Sequence, residues 1–247
     1  MRPPTALTIA GSDSGGGAGI QADLKTFLDH RVYGMSVLTA LTAQNTLGVQ
    51  AIFDVSPEFL REQLQSIRAD LPVDAIKIGM VADAARATVI ADFLEAWPDR
   101  PPVVLDPVMI AKGGAPLLHP DAVAVLRERL APLASLVTPN IPEAEVLGDL
   151  PGATLLRKGG HAEGPVVEDV LEWQGERHRF RNERIVSKNT HGTGCTLAAA
   201  ITAQLACGRS LPEACALGVA YVARLLKGSQ QSVGHGHGPL LHGLLPT

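Results

Sequence analysis

The stretch Asn189-Thr190-His191-Gly192-Thr193-Gly194-Cys195 sets two glycines and a cysteine directly before the alanine-rich run Thr196 to Ala206. That run is strongly helix-forming. The glycines therefore stand at a helix mouth, where the first backbone N–H groups have no partner. Glycine leaves room for a bulky anion against bare backbone, and the helix dipole adds partial positive charge, so phosphate is the natural guest. Cys195 falls in the first turn, where the same field favours a thiolate. The plainer reading is a glycine-rich loop ahead of a core helix.

Other residues able to do chemistry stand at the ends of apolar runs. Lys158, followed by two glycines, suits a cation reaching a polyphosphate; otherwise it is a surface lysine. Asn140 and Glu143 are three apart at a helix start, a spacing able to hold a hydrated Mg2+ together with phosphate oxygens. Glu143 also reads as a first-turn dipole partner, with Pro142 suited to the first helical position. Asp106 is either a second acid on the magnesium side or a turn residue before Pro107. Gln44 offers adjacent amide donor and acceptor groups that match the edge of an aminopyrimidine, or it caps a strand. His235, His237 and His242 invite a metal reading, but a closed zinc site wants four ligands, and no acid or cysteine lies close to them in sequence. A glycine-rich loop beside a nucleotide base fits Gly234 to Gly238 equally well.

Such residues need a scaffold that gathers strand ends. Apolar runs predict strands at 6–11, 36–43, 49–53, 75–80, 103–109, 135–140 and 153–158. Helices are predicted at 20–30, 57–69, 83–97 (capped by Asp83), 121–130, from 142, at 193–206 and at 212–227. Alternation around Gly175 predicts an antiparallel hairpin over 166–186. Alternating strand and helix imply a mostly parallel sheet covered on both faces, with the ligand at the carboxyl ends of the strands. The glycine loop 12–19 contains neither Gly-Lys-Ser/Thr nor G-x-G-x-x-G. The Walker A and dinucleotide cradles are thereby excluded.

Composition sets the bounds. At 247 residues with 46% hydrophobic content and mean hydropathy of +0.15, the chain fits a single α/β domain over 1–247. A net charge of −4 without a basic block argues against a nucleic-acid partner. The unframed cysteines Cys195, Cys207 and Cys215 suit a reducing cytosol. The early Asp13 argues against a signal peptide, and no run of about 18 apolar residues suggests a membrane partner. The expected location is the cytoplasm.

From Ala6-Leu7-Thr8-Ile9-Ala10-Gly11-Ser12-Asp13-Ser14-Gly15-Gly16-Gly17-Ala18-Gly19 through Gln21-Ala22-Asp23-Leu24-Lys25, the chain resembles the opening of hydroxymethylpyrimidine/phosphomethylpyrimidine kinases. Thr39 to Thr46, Lys77-Ile78-Gly79-Met80, Lys158-Gly159-Gly160-His161, Asn189 to Cys195 and Val233-Gly234-His235-Gly236 resemble that family in the same order. The resemblance implies a ribokinase-like three-layer α/β sandwich that phosphorylates 4-amino-5-hydroxymethyl-2-methylpyrimidine and then its monophosphate, using ATP and Mg2+. It implies that Gly11, Asp23, Gln44, Met80 and Val108 surround the pyrimidine. Lys158, Asn140, Gly192, Thr193 and Gly194 would serve the ATP phosphates. Asp106 and Glu143 would lie on the magnesium side, with Cys195 facing the acceptor alcohol beside Lys158. It also implies a homodimer. Between Glu143 and Lys158 the family carries a longer crossover than the ten residues Ala144 to Ala153 found here. A pyridoxal kinase of the same build and a non-catalytic pyrimidine-binding module are the rival readings; turnover of the two alcohols separates the first and an ATPase-coupled assay the second.

Overall fold

The structure, a computed structural model, describes residues 2–231 and 233–244. A nine-stranded sheet runs in the order β3-β2-β1-β4-β5-β6-β7-β8-β9. Its centre is β1 (Thr5–Asp13), parallel to β2 (Tyr33–Asn45) on one side and to β4 (Ala75–Ile78) on the other. Parallel strands β5 (Val103–Leu105), β6 (Leu136–Val137) and β7 (Leu155–Arg157) continue the sheet outward. The chain thus reverses direction across the sheet between β1 and β4, the kind of switch point where open α/β sheets bind ligands.

Both edges are antiparallel. On one side β3 (Gly48–Asp54) folds back on β2, pairing Ala43 with Ala51. On the other, β8 (Val166–Trp173) and β9 (Glu176–Glu183) form the predicted hairpin, and β8 pairs with β7, so the hairpin extends the main sheet.

Alternation along the strands sorts side chains between two helical layers. Ile76, Ile78, Val103 and Leu105 face a core shared with α2 (Pro57–Asp70), α3 (Ala84–Glu95) and the helix that starts as α4 (Ala122–Val125). That last helix passes through a π-helical turn at Leu126–Leu130 and ends in α5 (Ala131–Leu133). Val104, Leu136, Leu156 and Leu171 face the other layer, made by α7 (Thr193–Ala206) and α8 (Leu211–Gly228). Beside them α1 (Gly19–Asp29) buries Phe27 against Ala6, Ala199 and Ala203. Each such large apolar side chain, fully buried, stabilises the fold by about 1.5–3 kcal/mol.

Local chemistry sets the helix starts. Ser56 accepts from Phe59 N–H with Pro57 at the first helical position, and Asp83 accepts from Arg86 N–H. The short α6 (Ile141–Leu147) lies on the path from β6 to β7. Among the described residues no helix is long and apolar enough to cross a membrane.

Candidate active site

A cavity of about 620 Å³ opens over the carboxyl ends of β1, β4, β5 and β7, within the range that holds small molecules and cofactors. At one end it is lined by Gly11, Gln44, Met80 and Val108. At the other it is lined by Asn140, Glu143, Lys158 and Gly192 to Cys195, with Asp106 between. An apolar wall from Leu197, Val219, Val222 and Leu226 completes the second end. All but one of the predicted site residues therefore share one cavity.

The exception is Asp23. Its expected place beside the pyrimidine is corrected: it is fully buried beneath the floor and is not part of the lining. One carboxylate oxygen accepts from Lys77 Nζ at 2.8 Å and Thr8 Oγ1 at 2.6 Å, while the other has no partner. Lys77 sits between Ile76 and Ile78, so strand alternation turns it away from their core and toward α1 and α7. Burial opposes its charge, but Asp23 and Asp106 outweigh that and hold the ammonium above its ordinary pKa. Lys77 lines the cavity floor as a fixed cation.

A second cation is held by acids. Lys158 Nζ lies 2.8 Å from Asp106 Oδ1 and 3.7 Å from Glu143 Oε2, and Thr138 Oγ1 donates to the same Asp106 oxygen at 3.0 Å. Burial resists the charge on Asp106, yet Lys158 and Lys77 keep its carboxyl below the usual value. Glu143 goes the other way: burial, reinforced by Asp106 and only partly offset by Lys158, pushes it up to about 7. Glu143 also completes a capping box with Asn140, accepting from Asn140 N–H at 2.8 Å while its own N–H donates to Asn140 Oδ1 at 2.9 Å. The capping role and the cavity role coexist in these two residues.

The Lys158 turn is fixed from behind. Lys158 N–H donates to Pro139 O at 3.0 Å, and Gly159 N–H donates to the buried Asp169 carboxylate of β8 at 2.8 Å. Sequence reasoning missed Asp169, a buried acid that alternates with Val167 and Leu171 along β8, together with the α8 wall.

Across from Lys158, Gly192 caps α7 with φ of 77°, a left-handed conformation that favours glycine. A Cβ there would overlap the Gly17 carbonyl, so the two glycine loops interlock. A Cβ on Gly194 would stand 3.6 Å from Lys158 Nζ and 3.7 Å from Asp106 Oδ2, so its bare backbone faces the charged pair. Donors from a helix mouth and a lysine ammonium thus converge on one volume, the arrangement that binds phosphate.

Cys195 lies in this first turn, half-buried. The expectation of a favoured thiolate is corrected: burial pushes the thiol up to about 11, with Lys77 and a Gly19 backbone hydrogen bond opposing and Asp23 and Asp106 adding to it. Desolvation is the largest influence on this thiol. The resting group is a protonated thiol.

Among the described residues no group of three or more His, Cys, Asp or Glu side chains gathers to hold a metal ion, so the His235, His237 and His242 reading finds no support. His242 is instead buried, its Nε2 paired with Thr196 Oγ1 at 2.9 Å. Two carboxylates, Asp106 and Glu143, do face the cavity beside the anion cradle. One or two carboxylates plus substrate phosphates is the donor set Mg2+ ordinarily takes. These residues fit that ion in company with a nucleotide and could not enclose it alone.

The sequence profile of the family described as phosphomethylpyrimidine kinase matches residues 13–154 and 149–241. The chain belongs to that family. Hydroxymethylpyrimidine/phosphomethylpyrimidine kinase from Escherichia coli is 43% identical, with 98% of each chain covered. The thiamine biosynthesis bifunctional protein ThiED of Geobacter sulfurreducens is 50% identical over 96% of this chain, which spans 51% of that longer protein. Among solved structures, a Clostridium difficile phosphomethylpyrimidine kinase superposes with TM-score 0.77 at 40% identity, covering 89% of this chain and 98% of its own. The ADP complex of a Bacillus subtilis pyridoxal kinase superposes with TM-score 0.88 at 36% identity, covering 98% of both. The phosphomethylpyrimidine kinase fold is the ribokinase-like one anticipated from the sequence.

Proposed function

We propose that this kinase transfers the γ-phosphoryl group of ATP to the hydroxymethyl oxygen of 4-amino-5-hydroxymethyl-2-methylpyrimidine, and then a second phosphoryl group to the resulting monophosphate. The observation carrying this reading is one cavity with an amide reader, Gln44, at one end and a lysine facing a helix-mouth cradle, Lys158 with Gly192 to Gly194, at the other. The family and its named relatives support the same chemistry.

The acceptor oxygen attacks the γ-phosphorus, the bond to the bridging oxygen of ADP breaks, and the alcohol proton leaves late because the transition state is loose. Gly11, Met80 and Val108 hold the ring, and Gln44 reads its amino edge. The backbone N–H groups from Gly192 to Cys195, with Asn140, orient the nucleotide phosphates. Lys158 stabilises charge on the migrating group. Asp106 and Glu143 would hold Mg2+, which supplies charge neutralisation to the phosphates. Cys195 faces the alcohol as a thiol and contributes as a base only after losing its own proton, a cost that Lys77 reduces. The 247 residues act as one kinase domain in the cytoplasm. A homodimer is the expected assembly, and exposed Ile52 and Phe53 of β3 are among the apolar side chains available to it.

The pyridoxal kinases superpose with TM-scores up to 0.88, so the backbone alone does not choose between the two alcohols. A direct comparison does. With MgATP, kcat/KM on the aminopyrimidine alcohol should exceed that on pyridoxal; the reverse order would overturn the assignment.

A further inference from the structure

Gln44 stands between two groups that constrain how its amide can point. His191 Nε2 lies 2.8 Å from Asp13 Oδ2 and 3.3 Å from the Gln44 amide nitrogen. At the other end Thr42 Oγ1 lies 3.0 Å from the Gln44 amide oxygen and 2.8 Å from Ser12 O. Asp13 is nearly fully buried, and its two oxygens also accept from the N–H groups of Gly15, Gly17 and Ala18. Burial alone would raise its carboxyl, but His191 and the backbone donors hold it below the usual value, so it is a carboxylate.

The protons can then be assigned one by one. A ring nitrogen 2.8 Å from a carboxylate carries hydrogen, so His191 Nε2–H donates to Asp13. An N–H cannot receive a second hydrogen from an amide NH2. The Thr42 hydroxyl has the carbonyl of Ser12 as the acceptor for its one proton, which leaves its lone pairs for Gln44. Amide oxygen and nitrogen are nearly isosteric, and the network decides which is which. Turning the amide by a half-rotation removes the conflict: its oxygen shares the His191 Nε2–H with Asp13 as the longer branch of a three-centre bond, and its NH2 donates to Thr42. The Gln44 backbone is pinned separately, its N–H donating to Ser14 Oγ and its carbonyl accepting from it, both at 2.8 Å.

We propose that His191, anchored by Asp13, is a positioning residue that locks the Gln44 amide with its oxygen on the His191 side and its NH2 on the Thr42 side, and so sets substrate specificity. An amide offers two lone pairs and two N–H groups. The lock uses one of each and leaves one of each for the ligand. An acceptor ring must therefore present a donor beside His191 and an acceptor beside Thr42, the pattern of an exocyclic amine next to an unprotonated ring nitrogen. The 4-oxo analogue of the same alcohol presents the reverse pattern, a carbonyl next to a ring N–H, and meets two mismatched contacts. This inference rests on the proposed reading of Gln44 as the ring's recognition group.

The test is the ratio of kcat/KM for the 4-amino alcohol over its 4-oxo analogue, measured with MgATP in the full-length protein. The ratio is taken within one preparation, so loss of folded enzyme cancels. Two mismatched hydrogen bonds predict a wild-type ratio of about 100 or more. His191→Leu and Thr42→Val each release one end of the amide, and at least one should lower the ratio tenfold or more. A ratio that stays within tenfold of wild type in both variants overturns the lock, as does a wild-type ratio near one. Long-range 15N NMR of His191 gives an independent readout: hydrogen on Nε2 is expected, and a bare Nε2 overturns the assignment. If wild-type enzyme does not phosphorylate the amino alcohol at all, the proposed function has failed, and the two failures are told apart.

Discussion

Lys158 Nζ is held 2.8 Å from Asp106 Oδ1 and 3.7 Å from Glu143 Oε2, so one ammonium serves two carboxylates at unequal range. Asp106 stays ionised while Glu143 is pushed up to about 7. The pair thus keeps one firm negative charge and one adjustable one beside the helix mouth. Removing the cation as Lys158→Met should lower kcat by about 10²–10³, the usual cost of losing one preorganised charge contact. KM for the pyrimidine should change little. Steady-state kinetics check both, and near-normal kcat would remove Lys158 from phosphoryl transfer.

Glu143 makes the enzyme's pH behaviour readable. A carboxyl raised on folding favours its protonated form in the native state. Its contribution to stability is therefore full below its ordinary value and is lost as pH climbs through about 7. Activity has the opposite slope, because only the carboxylate can serve Mg2+. The profile of kcat/KM for MgATP should rise through about pH 7 at low Mg2+, and the limb should move to lower pH at saturating Mg2+. In Glu143→Gln the limb should vanish; its persistence would assign it to another group.

Cys195, with its thiol near 11, should be a slow nucleophile at neutral pH. Iodoacetamide at pH 7.5 should label the exposed Cys207 well before Cys195, read by peptide mass spectrometry. General bases contribute about 10²–10⁴-fold, and a resting thiol predicts the lower end. The second acceptor is a phosphate oxygen that needs no base at neutral pH. Cys195→Ala should accordingly slow the first phosphorylation more than the second, and equal losses on both acceptors would exclude the base role.

Loss of the half-buried Gln44 would leave the polar edge of a bound ring without its hydrogen-bonding partner, worth roughly 1–3 kcal/mol. Gln44→Ala should raise KM for the pyrimidine about tenfold or more while KM for ATP holds. An unchanged pyrimidine KM would place the ring elsewhere in the cavity.

The Lys77–Asp23 pair is wholly buried, and breaking one partner leaves an uncompensated charge. Asp23→Ala should cost about 3–5 kcal/mol. At about 2–4 °C per kcal/mol for a chain of this size, calorimetry should show a Tm drop of at least about 6 °C. Replacing both as Asp23→Leu with Lys77→Met should recover much of that loss; a double variant no more stable than Asp23→Ala alone would mean that the unpaired lysine was not the cause.

Much of this kinase was legible in its residues because the signals are local. Helix starts at Ser56-Pro57, Asp83 and Asn140 to Glu143 follow from side chains bonding backbone within three residues. Strand–helix alternation dictated a mostly parallel sheet, and strand ends pointed to Gln44, Asp106 and Lys158. Partners distant in sequence left no such mark. Asp13 and His191 stand 178 residues apart and meet only when the two glycine loops interlock. Lys77 carried a faint sign, one charge between two isoleucines, but its partner Asp23 could be placed beneath the floor only once α1 was seated on the sheet. That β3 would fold back on β2 was likewise decided by pairing across the edge, which periodicity does not encode. The thiol of Cys195 shows the same division: its place at a helix mouth was read from spacing, whereas its proton affinity was decided by what buries it, because desolvation depends on the whole surrounding shell.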